Sequence, residues 1–255
     1  MTVGGWKYAA SSVIGTSHLS KPDGVCQDSH TCRYLDGPAS VMVMVVSDGA
    51  GSASQSQHGS LCACQYIEYL IAQTPPDTLF TCELAITALR GLRRRLTELA
   101  DEAQIALREF ACTLLVAIAD RERAAFWQIG DGAMCFRLRD EETYQYAFWP
   151  EKGDYANVTF FVTDPNAEEH LEFDAMEGEI IELASFSDGL ERLALDFVTG
   201  EVHPGFFNGL FPHLRALKPG YSTEISSQLG TFLASERVNK RTDDDKTLIL
   251  ASRLE

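Results

Sequence analysis

The chain predicts a layered α+β fold, in which sheet packs on sheet and helices lie outside. Short β-rich runs occupy the two ends and the middle, helical periodicities come in pairs between them, and βα units do not alternate as a parallel sheet demands. Residues 6–14 and 41–47 read as strands joined by a long polar loop over 15–40. Residues 55–73 place Leu61, Ile67, Leu70 and Ile71 at helical spacing and stop before Pro75-Pro76. Asp77 then caps a second helix through Leu84, Ile86, Leu89, Leu92 and Leu96 towards Phe110, with Gly91 as a point of bending.

From residue 113 the texture changes. Runs at 113–119, 124–129, 134–139 and 143–149, separated by polar turns, predict an antiparallel meander, with a further piece of strand at 157–163. Residues 180–187 are apolar and end at Ser187-Asp188-Gly189. Residues 206–217 and 223–236 read as helices, and 246–252 closes the chain as a strand. No linker or repeat interrupts this run, so one domain over 1–255 is expected.

Composition narrows the function. The 255 residues are 45% hydrophobic, with 21 Lys+Arg against 37 Asp+Glu and a net charge of −16. Nucleic acid and anionic membrane surfaces are excluded as general partners, because both need clustered cations. The acidity is concentrated: residues 141–200 hold 15 acidic and 2 basic side chains. That stretch reads as a solubilising surface or as one that selects basic partners. Neither a leader nor a membrane-length apolar run is evident, and the seven cysteines form no CxxC pair. Reduced thiols and a cytoplasmic location are expected. Cys62 and Cys64, two residues apart on a helix, point in different directions and read as packing residues.

The chemistry lies in isolated aspartates. Asp48 follows the apolar run 41–46 and precedes Gly49-Ala50-Gly51. Asp131 sits between Gly130 and Gly132, Asp188 precedes Gly189, and Asp243-Asp244-Asp245 stands directly before the last strand. Each lies at the edge of an expected buried strand. One Asp-Gly alone is turn chemistry. Several carboxylates at strand ends build an oxygen-only site for hard divalent cations such as Mg²⁺ or Mn²⁺, and without a cation their burial is costly.

Five motifs in order now give a resemblance: Gly15-Thr16-Ser17-His18 with Cys26-Gln27-Asp28; Asp48-Gly49-Ala50-Gly51; Gly130-Asp131-Gly132; Ser187-Asp188-Gly189; and Asp244-Asp245-Lys246-Thr247. The sequence resembles the protein phosphatase 2C family of metal-dependent serine/threonine phosphatases, and within it a compact bacterial subgroup whose first motif ends in Cys-Gln-Asp. The resemblance implies a central antiparallel β-sandwich flanked by helix pairs, a four-layer αββα fold. It implies that Asp48 bridges two Mn²⁺ or Mg²⁺ ions, that the Gly49 carbonyl ligates one, and that Asp188 and Asp244 complete the other's shell. Asp28 would act through metal-bound water, and Asp131 with Asp188 would hold a weaker third ion. A metal-bridging hydroxide would attack phosphorus in line with the leaving serine or threonine oxygen.

Two departures bear on the acid and the phosphate contact. His18 stands where many members have arginine, so it is the candidate for binding phosphate and, when protonated, for protonating the leaving oxygen; a loop histidine without that role is the competing reading. Lys21 and Arg33 are nearby alternatives for the phosphate. Ala50 stands where some eukaryotic members carry histidine. Asp245 is expected behind the ligands and Asp243 in solvent, while His58, His170, His203 and His213 have no ligand-like spacing. Residues 154–170 fall where the family has a variable flap, and Tyr155, Asn157 and Phe160 are its candidate substrate contacts. Phosphoproteins, the targets of a serine/threonine kinase, are the expected partners. A catalytically silent phosphoprotein-binding module and a small-molecule phosphohydrolase using the same site are the competing functions; the intact acids argue against the first.

Overall fold

A computed structural model describes residues 5–19, 24–37, 40–150 and 159–253. Two antiparallel sheets face one another. One has the order β2 (Ser29–Leu35), β3 (Val41–Ser47), β4 (Leu114–Ala119), β5 (Arg123–Ile129) and β8 (Glu172–Glu177). The other has the order β12 (Gly220–Tyr221), β1 (Lys7–Val13), β13 (Lys246–Ser252), β9 (Ile180–Phe186), β6 (Ala133–Leu138) and β7 (Gln145–Tyr146), with only β12 parallel to its neighbour. A two-stranded ribbon, β10 (Leu195–Asp196) with β11 (Glu201–Val202), lies apart.

The period of two along each strand sorts its side chains between layers. Val41, Val43 and Val45 face the helices α2 (Ser56–Gln73) and α3 (Cys82–Ala103), whereas Met42, Met44 and Val46 face the opposite sheet. In β13, Ile249 and Ala251 join the core between the sheets, while Leu248 and Leu250 pack under α5 (Pro204–Asn208), α6 (Phe211–Arg215) and α7 (Thr223–Leu233). The result is the expected four-layer αββα sandwich. The short helices α1 (Thr16–Leu19), α4 (Glu191–Ala194) and α8 (Glu236–Asn239) sit at its margins.

Several local expectations need correction. The expected loop over 15–40 contains α1 and β2. Strand β2 pairs along its whole length with β3, but it is an edge strand with half-buried, mostly polar side chains, so it carries no apolar signature. The second long helix starts at Thr81, whose Oγ1 accepts the Leu84 N–H at 3.3 Å; Asp77 lies in a separate single turn. That helix ends at Gln104 in a left-handed conformation rather than near Phe110. It runs unbroken through Gly91, where a Cβ would collide with the Tyr66 hydroxyl, so glycine is there for helix packing.

The meander is split between sheets. β5 belongs to the first and β6 to the second, and Gly130 and Gly132, both at φ +93°, make the transfer. Of residues 143–149 only Gln145 and Tyr146 pair, and β8, unsuspected from the sequence, closes the first sheet beside β5. The expected strand at 157–163 lies partly outside the described residues, and 159–163 forms no strand. Residues 206–217 form two helices, because Pro212 has no N–H to continue the first. Residues 223–236 stop at Leu233, and α8 follows from Ser235.

Candidate metal centre

The aspartates singled out by sequence gather at one edge of the sandwich. Asp48 follows β3, Asp28 precedes β2, Asp131 joins β5 to β6, Asp188 follows β9 and Asp244 precedes β13. Strand ends make good mounts because the ladder behind them fixes the backbone. Asp48 is further pinned by Thr113: its N–H donates to Thr113 Oγ1 at 2.9 Å, and its carbonyl accepts the Thr113 N–H at 2.8 Å. Ser47 Oγ donates to the Thr113 carbonyl at 2.6 Å.

Hydroxyls and amides hold the other acids. Ser187 Oγ donates to Asp28 Oδ2 at 2.6 Å, and the Thr247 hydroxyl bonds the same carboxyl. Behind Thr247, its Oγ1 lies 2.6 Å from Ser12 Oγ, which lies 2.7 Å from His30 Nδ1, so a partly buried polar chain crosses from one sheet to the other. Thr159 Oγ1 donates to Asp131 Oδ2 at 2.6 Å. The turn around Asp131 is fixed by Gln128 Nε2, which donates to the Gly130 and Gly132 carbonyls, and by Glu191 Oε1, which accepts the Gly132 N–H at 3.0 Å. Asp244 Oδ1 accepts the Asp245 N–H at 2.8 Å, and Lys246 Nζ donates to the Asp244 carbonyl at 3.1 Å. Sequence reasoning passed over Ser12, Thr113, Gln128, Thr159 and Glu191, since uncharged side chains and a lone glutamate have no motif spacing, and it gave Ser187 no role of its own within the Ser187-Asp188-Gly189 motif.

Electrostatics shows that these acids are one cluster. Burial pushes the Asp48 carboxyl well above its ordinary range, and Asp28, Asp188 and Asp244 push it further. Asp188 is raised to about 8 by burial, then by Asp131 and Asp244. Asp28 is raised to about 6 by burial and Asp245, against the lowering effect of its Ser187 and Thr247 hydrogen bonds. The buried atoms Asp28 Oδ1 and Asp188 Oδ1 have no hydrogen-bond partner. A fold that crowds carboxylates and leaves their oxygens without donors suits a multivalent cation.

The donor set fits a hard one. Among the described residues no three His, Cys, Asp or Glu side chains form a closed ligand group. Mg²⁺ takes one or two carboxylates and fills its octahedron with carbonyls, waters and phosphate oxygens, which is what aspartates beside the Gly49 carbonyl offer.

The remaining candidates separate clearly. His18 is 8% exposed and its Nδ1 lies 3.0 Å from Asp245 Oδ2. Arg33 pairs with Glu68 of α2 at 3.2 Å. Lys21, Tyr155 and Asn157 lie outside the described residues. Asp243 is exposed, as expected. Phe160 stacks on His170 with ring centroids 3.4 Å apart, beside a polar cavity of about 230 Å³ that reaches Asp131. The second half of the expected flap is tied to α3: Arg90 grips Glu168 with two hydrogen bonds, and Arg93 donates to the Val162 and Asp164 carbonyls. The seven cysteines are free, and Cys64 is buried against β3.

A sandwich of this order with an acid cluster at one edge defines a phosphatase 2C-like domain, and comparison with known proteins agrees. The protein phosphatase 2C family matches residues 14–234. Serine/threonine-protein phosphatase 3 of Escherichia coli (strain K12) is 35% identical over 250 residues, 96% of this chain and 98% of that protein. The chain belongs to the protein phosphatase 2C family. Similar solved structures include the catalytic domain of the serine/threonine protein phosphatase PstP in complex with two manganese ions (TM-score 0.63, 16% identity, covering 97% of this chain and 98% of that one). The serine/threonine phosphatase Stp1 from Staphylococcus aureus is another (TM-score 0.63, 14% identity, covering 96% and 94%). Among the described residues no helix is long and apolar enough to cross a membrane.

Proposed function

We infer that the protein is a metal-dependent serine/threonine phosphoprotein phosphatase, hydrolysing phosphoserine and phosphothreonine monoesters. The observation that carries this reading is the convergence of Asp28, Asp48, Asp131, Asp188 and Asp244 into one cluster, in which burial and then neighbouring carboxyls raise Asp28, Asp48 and Asp188. Asp48, the Gly49 carbonyl, Asp188 and Asp244 would hold two Mn²⁺ or Mg²⁺ ions, Asp28 would act through water, and Asp131 with Asp188 would hold a third. Bound divalent cations supply Lewis acidity, lowering the pKa of water and offsetting charge on the phosphoryl oxygens.

The chain's own residues do the rest. The strand-end aspartates orient the centre, and Ser187 and Thr247 hold Asp28 as a hydrogen-bond acceptor. His18 contacts the phosphate or gives its proton to the leaving serine or threonine oxygen, which makes that oxygen a better leaving group. The protein falls in the bacterial subgroup with the Cys-Gln-Asp motif, residues 1–255 act as a single catalytic domain, and its substrates are cytoplasmic phosphoproteins made by a serine/threonine kinase. The 35% identity to a serine/threonine-protein phosphatase supports this reading.

Hydrolysis of p-nitrophenyl phosphate, with and without Mn²⁺, tests it in wild type, Asp48→Asn and Asp244→Asn. Activity is expected only with metal, and each substitution is expected to lower it by more than about 100-fold. Activity that survives chelation, or variants equal to wild type, would reject the two-metal reading. A panel of phosphopeptides then separates protein from small-molecule substrates.

A further inference from the structure

Asp245 does more than neighbour a ligand. It is 1% exposed, and both of its oxygens are committed to N–H donors from the two halves of the first motif. Oδ1 accepts the Gly15 N–H at 2.6 Å, and Oδ2 accepts the Gln27 N–H at 2.6 Å while lying 3.0 Å from His18 Nδ1. Main-chain amides cannot exchange donor for acceptor, so the carboxyl group is locked in place and offers His18 only an acceptor. The network therefore puts the hydrogen of that contact on Nδ1.

With Nδ1 turned inward, Nε2 is the ring nitrogen left for chemistry. A Cβ placed on Gly51 would stand 4.0 Å from His18 Nε2 and 3.9 Å from Gln27 Oε1, so both atoms converge on the loop that carries Asp48. Gln27 Oε1 is buried and has no partner. The side of His18 away from Asp245 therefore faces the exposed Gly51 turn, three residues beyond Asp48.

We propose that Asp245 is a positioning residue that acts through His18, fixing its Nδ1–H tautomer and aiming Nε2 at the leaving oxygen of the phosphoester. This rests on the phosphatase reading above. In the step concerned, water adds to phosphorus and gives up a proton to solvent. His18 enters this step as the imidazolium, with hydrogens on both ring nitrogens. The bond from phosphorus to the serine or threonine oxygen breaks with its electron pair going to that oxygen, the oxygen takes the Nε2 proton, and His18 is left as the neutral Nδ1–H tautomer. His18, still held at Nδ1, regains a proton from solvent. Asparagine at 245 would turn an amide N–H₂ against Gly15 N–H or against Gln27 N–H and His18 Nδ1, so the ring would lose its orientation or change tautomer.

The test compares wild type, Asp245→Asn, His18→Gln and the double variant on a phosphoserine peptide and on p-nitrophenyl phosphate, with Mn²⁺ affinity measured by calorimetry. The peptide's alkoxide needs the proton far more than p-nitrophenolate does. Both single variants are expected to lose about 10²-fold or more of kcat on the peptide, and at least tenfold less on p-nitrophenyl phosphate. The double variant should be no slower than the slower single one, since the two residues act as a unit. Imidazole ¹⁵N shifts of His18 in the metal-free protein should show the Nδ1–H form in wild type and its decline in Asp245→Asn. Equal losses on both substrates, additive losses in the double variant, an unchanged tautomer, or Mn²⁺ affinity falling in step with activity would each overturn the positioning role, the last because Asp245 would then merely brace Asp244. Wild-type protein inactive on both substrates with Mn²⁺ would overturn the phosphatase reading, and this inference with it.

Discussion

Strand β9 carries one carboxylate near its start and delivers another just beyond its end, and the two live in opposite surroundings. Glu182 is fully buried, yet every direction around it holds a donor. Arg137 reaches Oε2 with two nitrogens at 3.0 and 2.8 Å, Tyr144 donates to the same oxygen at 2.6 Å, and Arg215 Nε donates to Oε1 at 2.7 Å. Six residues on, Asp188 meets Asp48, Asp131, Asp244 and Asp28, and its Oδ1 has no partner. One end of the strand neutralises its charge internally and contributes to the fold. The other leaves its charge for something outside the chain to neutralise, which is the physical mark of a site.

The largest effect expected from breaking this contrast is at Glu182. Glu182→Ala strands two arginines and a tyrosine hydroxyl, and should cost about 3–5 kcal/mol, roughly a 10 °C fall in Tm for a chain of this size. Activity per folded molecule, measured well below that Tm, should change little, because none of these groups touches the acid cluster.

The converse is expected at Asp188. Its folded-state pKa lies above the ordinary 3.8, so in metal-free protein its stabilising contribution is complete below about pH 4 and is lost as pH rises towards about 8. Asp188→Asn removes that loss. The variant should melt higher than metal-free wild type by a few degrees near pH 8 and by nothing near pH 4, while Mn²⁺-dependent hydrolysis disappears. Mn²⁺ should raise the wild-type Tm and leave that of the variant nearly unchanged. Melting curves at the two pH values, with and without Mn²⁺, check both signs; a variant that melts lower at pH 8 would contradict the cluster's electrostatics.

The smallest effect is expected at an ordinary surface pair. Arg90 and Glu168 make a bidentate contact in solvent, and Arg90→Ala should leave Tm within about 1 °C of wild type. A larger fall would mean that α3 holds the 162–168 segment chiefly through this pair rather than through Arg93.

Much of this was legible in the linear chain. The aspartates at strand ends could be read because an apolar run followed by Asp-Gly states both where the strand stops and what stands there. β3, β4, β9 and β13 were readable because burial on both faces leaves continuous apolar runs. β2 was not, because an edge strand needs no such run, and neither was the division of the β5–β6 pair between sheets, because a turn's sequence does not say which partner the next strand will find. Thr81 in place of Asp77 is the same kind of miss: two good caps stood close together, and packing of the following turn chose between them.

The sequence by itself determined the layered class, the positions of the acids and the excess of negative charge, since each follows from local pattern or composition. Only the tertiary structure decided which charges are neutralised within the fold. Glu182 and Asp188 are similar acids in an acidic stretch until Arg137, Tyr144 and Arg215 arrive at one and four aspartates at the other. Likewise Asp245, one of three consecutive aspartates, is distinguished from Asp243 and Asp244 only by Gly15, Gln27 and His18, which lie more than 200 residues away in the chain. Charge interactions depend on distance through space, and the chain sets that distance only when it folds.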